Sequence, residues 1–302
     1  MYRIGSRKSA LAMYQSERVR TFLEGIAACE IRGFATQGDD QTISLSSAGS
    51  AGIFVTALRA ALLNAEADLI VHSLKDLPTY AHEGIVLAAV PERVDPHDVF
   101  VGRDGASIDE LPEGSVIGTS SPRRSVWVKQ LRPDLEVRPI RGNVETRLRK
   151  VQDGEYAGTV LAAAGLQRLG LLVADMHPIP FEELTPAPGQ AALAVECRSD
   201  DTSLIAALTQ IDDIAARLCV SAERAVVRTL GATCATAAGA YAELDENGFL
   251  LLTADVASSE TTEQIRIEVT ADIDSVAAAE DLGAHVARLL IDDGAYELIG
   301  MR

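Results

Sequence analysis

The chain has 302 residues, 47% hydrophobic and 24% charged, a balance that builds folded cores, excludes a disordered chain and at this length favours two or three domains. A net charge of −17 repels nucleic acid and anionic membranes from the surface as a whole, and 4% aromatic residues leave few platforms for stacking bases. The longest apolar stretches, such as residues 157–166, fall well short of the roughly 20 residues that span a bilayer, and no signal-peptide core opens the chain, so a cytoplasmic location is expected.

Strand-like and helix-like runs alternate from the start. Residues 2–5 carry a strand pattern, 10–23 a helix, 31–35 a second strand and, after a Gly/Ser-rich loop, 54–65 a second helix. Residues 68–72, DLIVH, form a buried-strand pattern that runs directly into Ser73-Leu74-Lys75-Asp76. Ligands of open α/β sheets bind beyond the carboxyl ends of such strands, so these four residues stand where chemistry is expected. Residues 93–96 have the composition of a hinge, and a second α/β unit follows with strands at 115–118, 136–139 and 159–162. Its helices begin near Pro122 and Asn143, the latter stopped by Gly154. Ser121 is placed to cap the first, Pro122 suits the first helical position, and Arg123 and Arg124 follow at once. Free backbone N–H groups and guanidinium groups should therefore converge on one spot. Arg141 lies just before the second helix and Arg147 near its first turn.

A Pro-rich crossing at 185–190 leads to an apolar strand at 191–197, which we return to the first domain. From 211 the pattern changes to one long helix ending at 230, then strands at 237–244, 249–256 and 264–270, and a helix at 275–292. The turn Asp245-Glu246-Asn247-Gly248 joins two of those strands. The expected architecture is two α/β domains, 1–92 with 190–210 and 96–187, plus a small α+β domain at 211–302. That last region carries 17 acidic and 6 basic residues, whereas residues 117–150 hold nine basic against three acidic ones. An acidic protein with one arginine-rich stretch suggests a site for a small polyanion, since arginine forks bind carboxylates bidentately and stay charged. Within the stretch Arg132, Arg138 and Arg149 are expected on a solvated helix face.

The four cysteines form no C-x-x-C pair and the five histidines no ligand spacing, so free thiols and no metal are expected. Cys29, Cys197 and Cys219 sit in element interiors or an early loop and fit packing roles, whereas Cys234 follows the long helix in a loop of small residues that permits an accessible thiol.

Seven segments together resemble the porphobilinogen deaminase family, in the family's order and over nearly the whole chain. They are IGSRKSALA at 4–12, VHSLKDLP at 71–78, GTSSPRR at 118–124, IRGNVETRL at 140–148, AGLQRLGL at 164–171, PGQAALAVECR at 188–198 and SAERAVVRTLGATC at 221–234. The resemblance implies two periplasmic-binding-protein-like (type II) α/β domains with the active site in the cleft between them, and a small third domain. It implies a monomeric cytoplasmic transferase that condenses four porphobilinogen molecules head to tail, releasing ammonia each time, into the linear tetrapyrrole hydroxymethylbilane. The primer is a covalent dipyrromethane cofactor, joined by a thioether to the residue matching Cys234. Asp76 is then the catalytic residue, because a carboxylate against the pyrrole N–H stabilises the cation left by ammonia loss. Ser73, Lys75, Thr119, Ser121, Arg123, Arg124 and Arg147 are the implied cofactor contacts, and Arg7, Ser9, Arg141, Arg168 and Gln190 the implied substrate contacts, with Ser120 beside them. His72 is expected to support only the strand end. Two departures stand out: Ala232-Thr233 precedes Cys234 where many members have Gly-Gly, and the loop at 46–52 has no lysine. A non-catalytic anion-binding protein of the periplasmic type would share the cleft and arginines, but lacks any use for Asp76 and Cys234.

Overall fold

A computed structural model describes residues 1–34 and 50–301, and of the segment 46–52 the residues 46–49 lie outside it. In chain order the elements are β1 (Tyr2–Arg7), α1 (Ala10–Phe22), β2 (Cys29–Phe34), α2 (Ser50–Leu63), β3 (Leu69–Ser73), β4 (Ile85–Ala89), β5 (Asp98–Gly102) and β6 (Val116–Gly118). They continue with α3 (Pro122–Leu131), β7 (Glu136–Arg138), α4 (Val144–Gln152), β8 (Gly158–Ala162), α5 (Ala163–Arg168), β9 (His177–Ile179), β10 (Leu193–Arg198) and α6 (Thr202–Leu208). The last are α7 (Ile214–Leu230), β11 (Ala237–Leu244), β12 (Phe249–Ala257), β13 (Gln264–Asp272), α8 (Val276–Asp292) and α9 (Ala295–Leu298).

The chain divides into two compact units, Met1–Val94 with Gly189–Arg217, and Asp95–Pro188 with Leu218–Arg302. The first unit holds a five-stranded sheet in the order β2-β1-β3-β10-β4, in which only β10 runs against its neighbours. Strands such as LIVHS are buried on both faces and so form continuous apolar runs rather than alternating ones. One face packs Ile4, Val19, Leu69, Val71, Val195 and Leu204; the other packs Leu58, Leu62, Ala67 and Ile70. The second unit repeats the arrangement as β7-β6-β8-β5-β9, with β5 as the reversed strand. Both sheets thus have the strand order of a periplasmic-binding-protein-like (type II) α/β fold. The unit also holds the antiparallel sheet β11-β12-β13, whose core of Leu250, Leu252, Ala254 and Val256 is covered by Val226, Leu230, Val286 and Leu290 of α7 and α8.

Several elements were not legible in the sequence pattern: β4, β5, β9 and the short helices α5, α6 and α9. β9 is three residues with a proline at its centre, and β5 directly follows the hinge-like segment. The long helix begins at Ile214, since a separate 3-10 turn occupies Thr209–Ile211.

In the first unit the Asp68 carboxylate receives the Arg3 backbone N–H and the Arg3 guanidinium, at 2.8, 2.9 and 2.7 Å. The Arg3 fork therefore holds the Asp68 pKa down, from 3.8 to about 2. A depressed carboxyl pKa contributes stability that is complete above the unfolded value and is lost as pH falls through the folded one. The native chain should lose urea resistance between pH 4 and pH 2, and Asp68→Asn should flatten that loss; urea midpoints at pH 7 and pH 3 for both proteins check this.

Candidate active site

The first unit presents its implied site residues where β1 and β3 end. Arg7 is half-buried at the end of β1, and Ser9 caps α1 by accepting the Ala12 N–H at 3.4 Å. Past β3 the chain makes one 3-10 turn, Leu74–Asp76, pinned by the fully buried Leu74, whose N–H donates to the Ala192 carbonyl at 3.0 Å. The Ser73 hydroxyl accepts from Gln15 Nε2 at 2.8 Å, and Lys75 Nζ donates to Gln190 Oε1 at 3.2 Å. Gln190 is fully buried between Gly189 and Ala191, both at positive φ (73° and 72°), and its carbonyl accepts from Arg93 Nε at 2.9 Å. For Ala191 that conformation is strained, and it persists because both ends of the turn are bonded down. Asp76 is half-buried and its carboxylate has no partner among the described residues.

His72 does more than end a strand: its Nε2 lies 3.4 Å from Glu196 Oε2, and Glu196 also receives Arg59 at 2.6 and 3.0 Å. Burial alone would raise the Glu196 pKa, but His72 and Arg59 hold it below the ordinary glutamate value. Gln15, Arg59, Arg93 and Glu196 had no signal in the sequence, because each acts on a partner far away in the chain.

In the second unit Thr119, Ser120 and Ser121 form the turn between β6 and α3. Thr119 Oγ1 accepts the Ser121 N–H at 3.2 Å, and Ser120 Oγ donates to the Ile140 carbonyl at 2.9 Å. Ser121 occupies the N-cap position of α3 but its side chain makes no capping bond. The Arg123 and Arg124 guanidiniums do converge, on Asp98. Arg123 Nη1 lies 2.6 Å from Asp98 Oδ2 and donates to the Thr185 carbonyl at 2.8 Å. Arg124 gives Nε and Nη2 to Asp98 Oδ1 at 3.0 and 2.6 Å, and Nη1 to the Val160 carbonyl at 2.8 Å. Burial pushes the Arg124 pKa down, against the pull of Asp98.

Asn143 caps α4 as expected, accepting the Thr146 N–H at 2.8 Å. Arg141 is exposed ahead of that helix and Arg168 is buried at the end of α5. Arg147 donates Nε to the Gly142 carbonyl at 2.9 Å and pairs with no carboxylate among the described residues. Burial, with the neighbouring Arg124 charge, lowers its pKa to about 10. Arg149 is exposed on α4 as expected, but Arg132 and Arg138 depart from a solvated helix face. Arg132 ends α3 and ties down the Ile108 and Leu111 carbonyls, while Arg138 lies on β7 paired with Glu136.

Cys234 is exposed, Cys197 and Cys219 are buried and Cys29 is half-buried. Burial raises the Cys197 pKa to about 11 and raises that of Cys29. The turn around Cys234 closes through threonine: Thr236 Oγ1 accepts the Thr233 N–H at 3.1 Å, Thr233 Oγ1 the Ala235 N–H at 3.2 Å, and the Thr233 carbonyl the Thr236 N–H at 2.9 Å. Ala-Thr-Cys-Ala-Thr thus builds a defined turn without paired glycines.

Two family models match the chain: "Porphobilinogen deaminase, dipyromethane cofactor binding domain" over residues 2–206, and "Porphobilinogen deaminase, C-terminal domain" over residues 217–292. Among curated relatives, porphobilinogen deaminase of Thermobifida fusca (strain YX) is 44% identical over 98% of this chain and 95% of its own length. That of Brevibacillus brevis is 40% identical over 99% and 96%. A solved structure of a putative methionine-binding lipoprotein from Bacillus subtilis is 13% identical, with a TM-score of 0.43 over 70% of this chain and 89% of that one.

Arg124 is buried and Arg147 half-buried, but among the described residues only Arg124 has a carboxylate partner. Arg147→Met should leave unfolding stability unchanged or raise it by about 1 kcal/mol, whereas Arg124→Met, which takes a counter-ion from the fully buried Asp98, should cost about 3 kcal/mol. Urea unfolding of the two variants side by side measures the difference.

Proposed function

The chain belongs to the porphobilinogen deaminase family, and from that premise we propose which of its residues carry the reaction. The activity is hydroxymethylbilane synthase: four porphobilinogen molecules are joined head to tail with release of ammonia, on a dipyrromethane cofactor. The cofactor supplies a primer to which pyrrole units are added.

Cys234 holds that cofactor. The supporting observation is the contrast among the four cysteines, since Cys234 alone is exposed while burial raises the thiol pKa of Cys29 and Cys197. The second unit also has the donor set for a polycarboxylate. Arg123 and Arg124 sit side by side at the start of α3, and the desolvated Arg147 charge has no described carboxylate to neutralise it. Thr119 and Ser121 add hydrogen bonds in the same turn.

Asp76 is the catalytic residue. It lies past the carboxyl end of β3 on a turn fixed by Leu74, Gln15 and Gln190, yet its own carboxylate is uncommitted among the described residues. Held against a pyrrole N–H, it stabilises the positive charge that develops on the ring as ammonia leaves. Ser73 and Lys75 hold the cofactor from the same turn. Arg7, Ser9, Arg141, Arg168 and Gln190 bind the carboxylates and polar edges of incoming substrate. The division into 1–92 with 190–210, 96–187 and 211–302 is supported by one sheet in each. In the same reading the chain works as a cytoplasmic monomer, and its charge of −17 keeps nucleic acid away. No helix among the described residues is long and apolar enough to cross a membrane.

Asp76→Asn keeps shape and removes the charge, so turnover should fall by about 10³-fold while the covalent cofactor stays in place. Near-normal bilane formation by the purified variant would overturn the role of Asp76. Cys234→Ser should lose the mass of two linked pyrrole units from the intact chain, whereas Ser at Cys29, Cys197 or Cys219 should retain it. Peptide mapping of the adduct to any of those three would move the anchor there.

A further inference from the structure

The third sheet carries a buried carboxylate to which the family reaction gives no task. Asp255 on β12 is 4% exposed, and its Oδ1 accepts the Gly239 N–H of β11 at 3.1 Å. Its Oδ2 accepts the hydroxyl of Thr185, itself 1% exposed. The Thr185 carbonyl in turn accepts Arg123 Nη1 at 2.8 Å, and the same nitrogen lies 2.6 Å from Asp98 Oδ2. A continuous polar chain therefore runs from Gly239 through Asp255 and Thr185 to Arg123 and Asp98.

Both ends of this chain are functional. Gly239 follows Cys234 by five residues, on the strand that starts where the Thr233–Thr236 turn ends. Arg123 is one of the two arginines at the start of α3. The approach leaves no slack: a Cβ placed on Gly239 would fall 2.8 Å from the Thr185 carbonyl oxygen and 2.9 Å from Asp255 Oδ1. The Ala240 N–H also donates to the Pro186 carbonyl at 3.0 Å, so the segment after Thr185 is stitched to β11 along two successive residues. Burial raises the Asp255 pKa, while Thr185 and the Arg123 charge act the other way.

We propose that Asp255 and Thr185 are positioning residues that set the distance between the cofactor thiol at Cys234 and the Arg123 guanidinium. The proposal rests on the assignment of those two residues to the cofactor. A molecule held covalently at one end and by a charged fork at the other requires the two anchors to match its length within a fraction of an ångström. Arginine alone cannot supply this, because its flexible side chain has many rotamers, and a fixed carbonyl partner removes that freedom in advance.

The test uses the full-length chain prepared without cofactor, incubated with porphobilinogen, and follows the covalent adduct by intact mass over time. Thr185→Val removes one hydroxyl at nearly constant volume and should slow loading about tenfold, as should Asp255→Leu, while Thr185→Ser should load at the native rate. Arg123→Leu should also load slowly, and the double variant Arg123→Leu/Thr185→Val should load no more slowly than Arg123→Leu alone, because both changes break the same link. Native loading by Thr185→Val, or defects that multiply in the double variant, would leave Asp255 and Thr185 as packing residues and overturn the proposal. Native loading by Arg123→Leu would instead overturn the assignment of Arg123, and the proposal with it. Should Asp255→Leu fail to fold, as thermal unfolding would reveal, Thr185→Val and the double variant decide the question.

Discussion

One buried carboxylate, Asp98, holds two adjacent guanidinium groups, and much of the second unit is organised around that contact. Its side chain is fully buried on β5, the strand that runs against its neighbours. Removing such a group from water is costly unless both oxygens are matched, and Arg123 and Arg124 match them at 2.6 Å each. The remaining donors reach the carbonyls of Val160 on β8 and of Thr185, so α3 is locked to the sheet and to the chain segment leading out of it. Pre-placed arginines lose little freedom when an anion arrives.

The first unit uses the same chemistry. Glu196 on its reversed strand is buried between Arg59 of α2 and His72 of β3. Asp68 takes Arg3 from β1 and Arg198 from the reversed strand β10. Each reversed strand therefore brings a carboxylate into the sheet, and each carboxylate recruits cations from neighbouring elements. The turn that carries Asp76 follows directly from a strand fixed in this way.

Against a molecular charge of −17, the region near Arg147 has the opposite character. Arg147 lies near Arg124, and burial and that second cation both disfavour its charged form. In the proposed reading, a carboxylate entering beside these cations would offset that electrostatic cost. Elsewhere the acidic residues are concentrated in the last third of the chain.

Local chemistry is what the sequence by itself determined. Asn143 caps the helix that follows it, while Ser121, the other expected cap, makes no capping bond; Asp245 to Gly248 turns the third sheet, and its strands and long helices stand close to where periodicity puts them. The candidate residues were also legible, since Asp76 and Cys234 lie in motifs of contiguous residues. Only the tertiary structure decided who their partners are. Asp98 meets Arg124 across 26 positions, Thr185 meets Asp255 across 70 and Arg59 meets Glu196 across 137. The reversed strand β5 is likewise set by pairing with β8 and β9, both far along the chain. Periodicity and capping report only on neighbours within a turn or a strand. A buried charge is paired by whatever the folded sheet brings within about 3 Å of it, which no local pattern encodes.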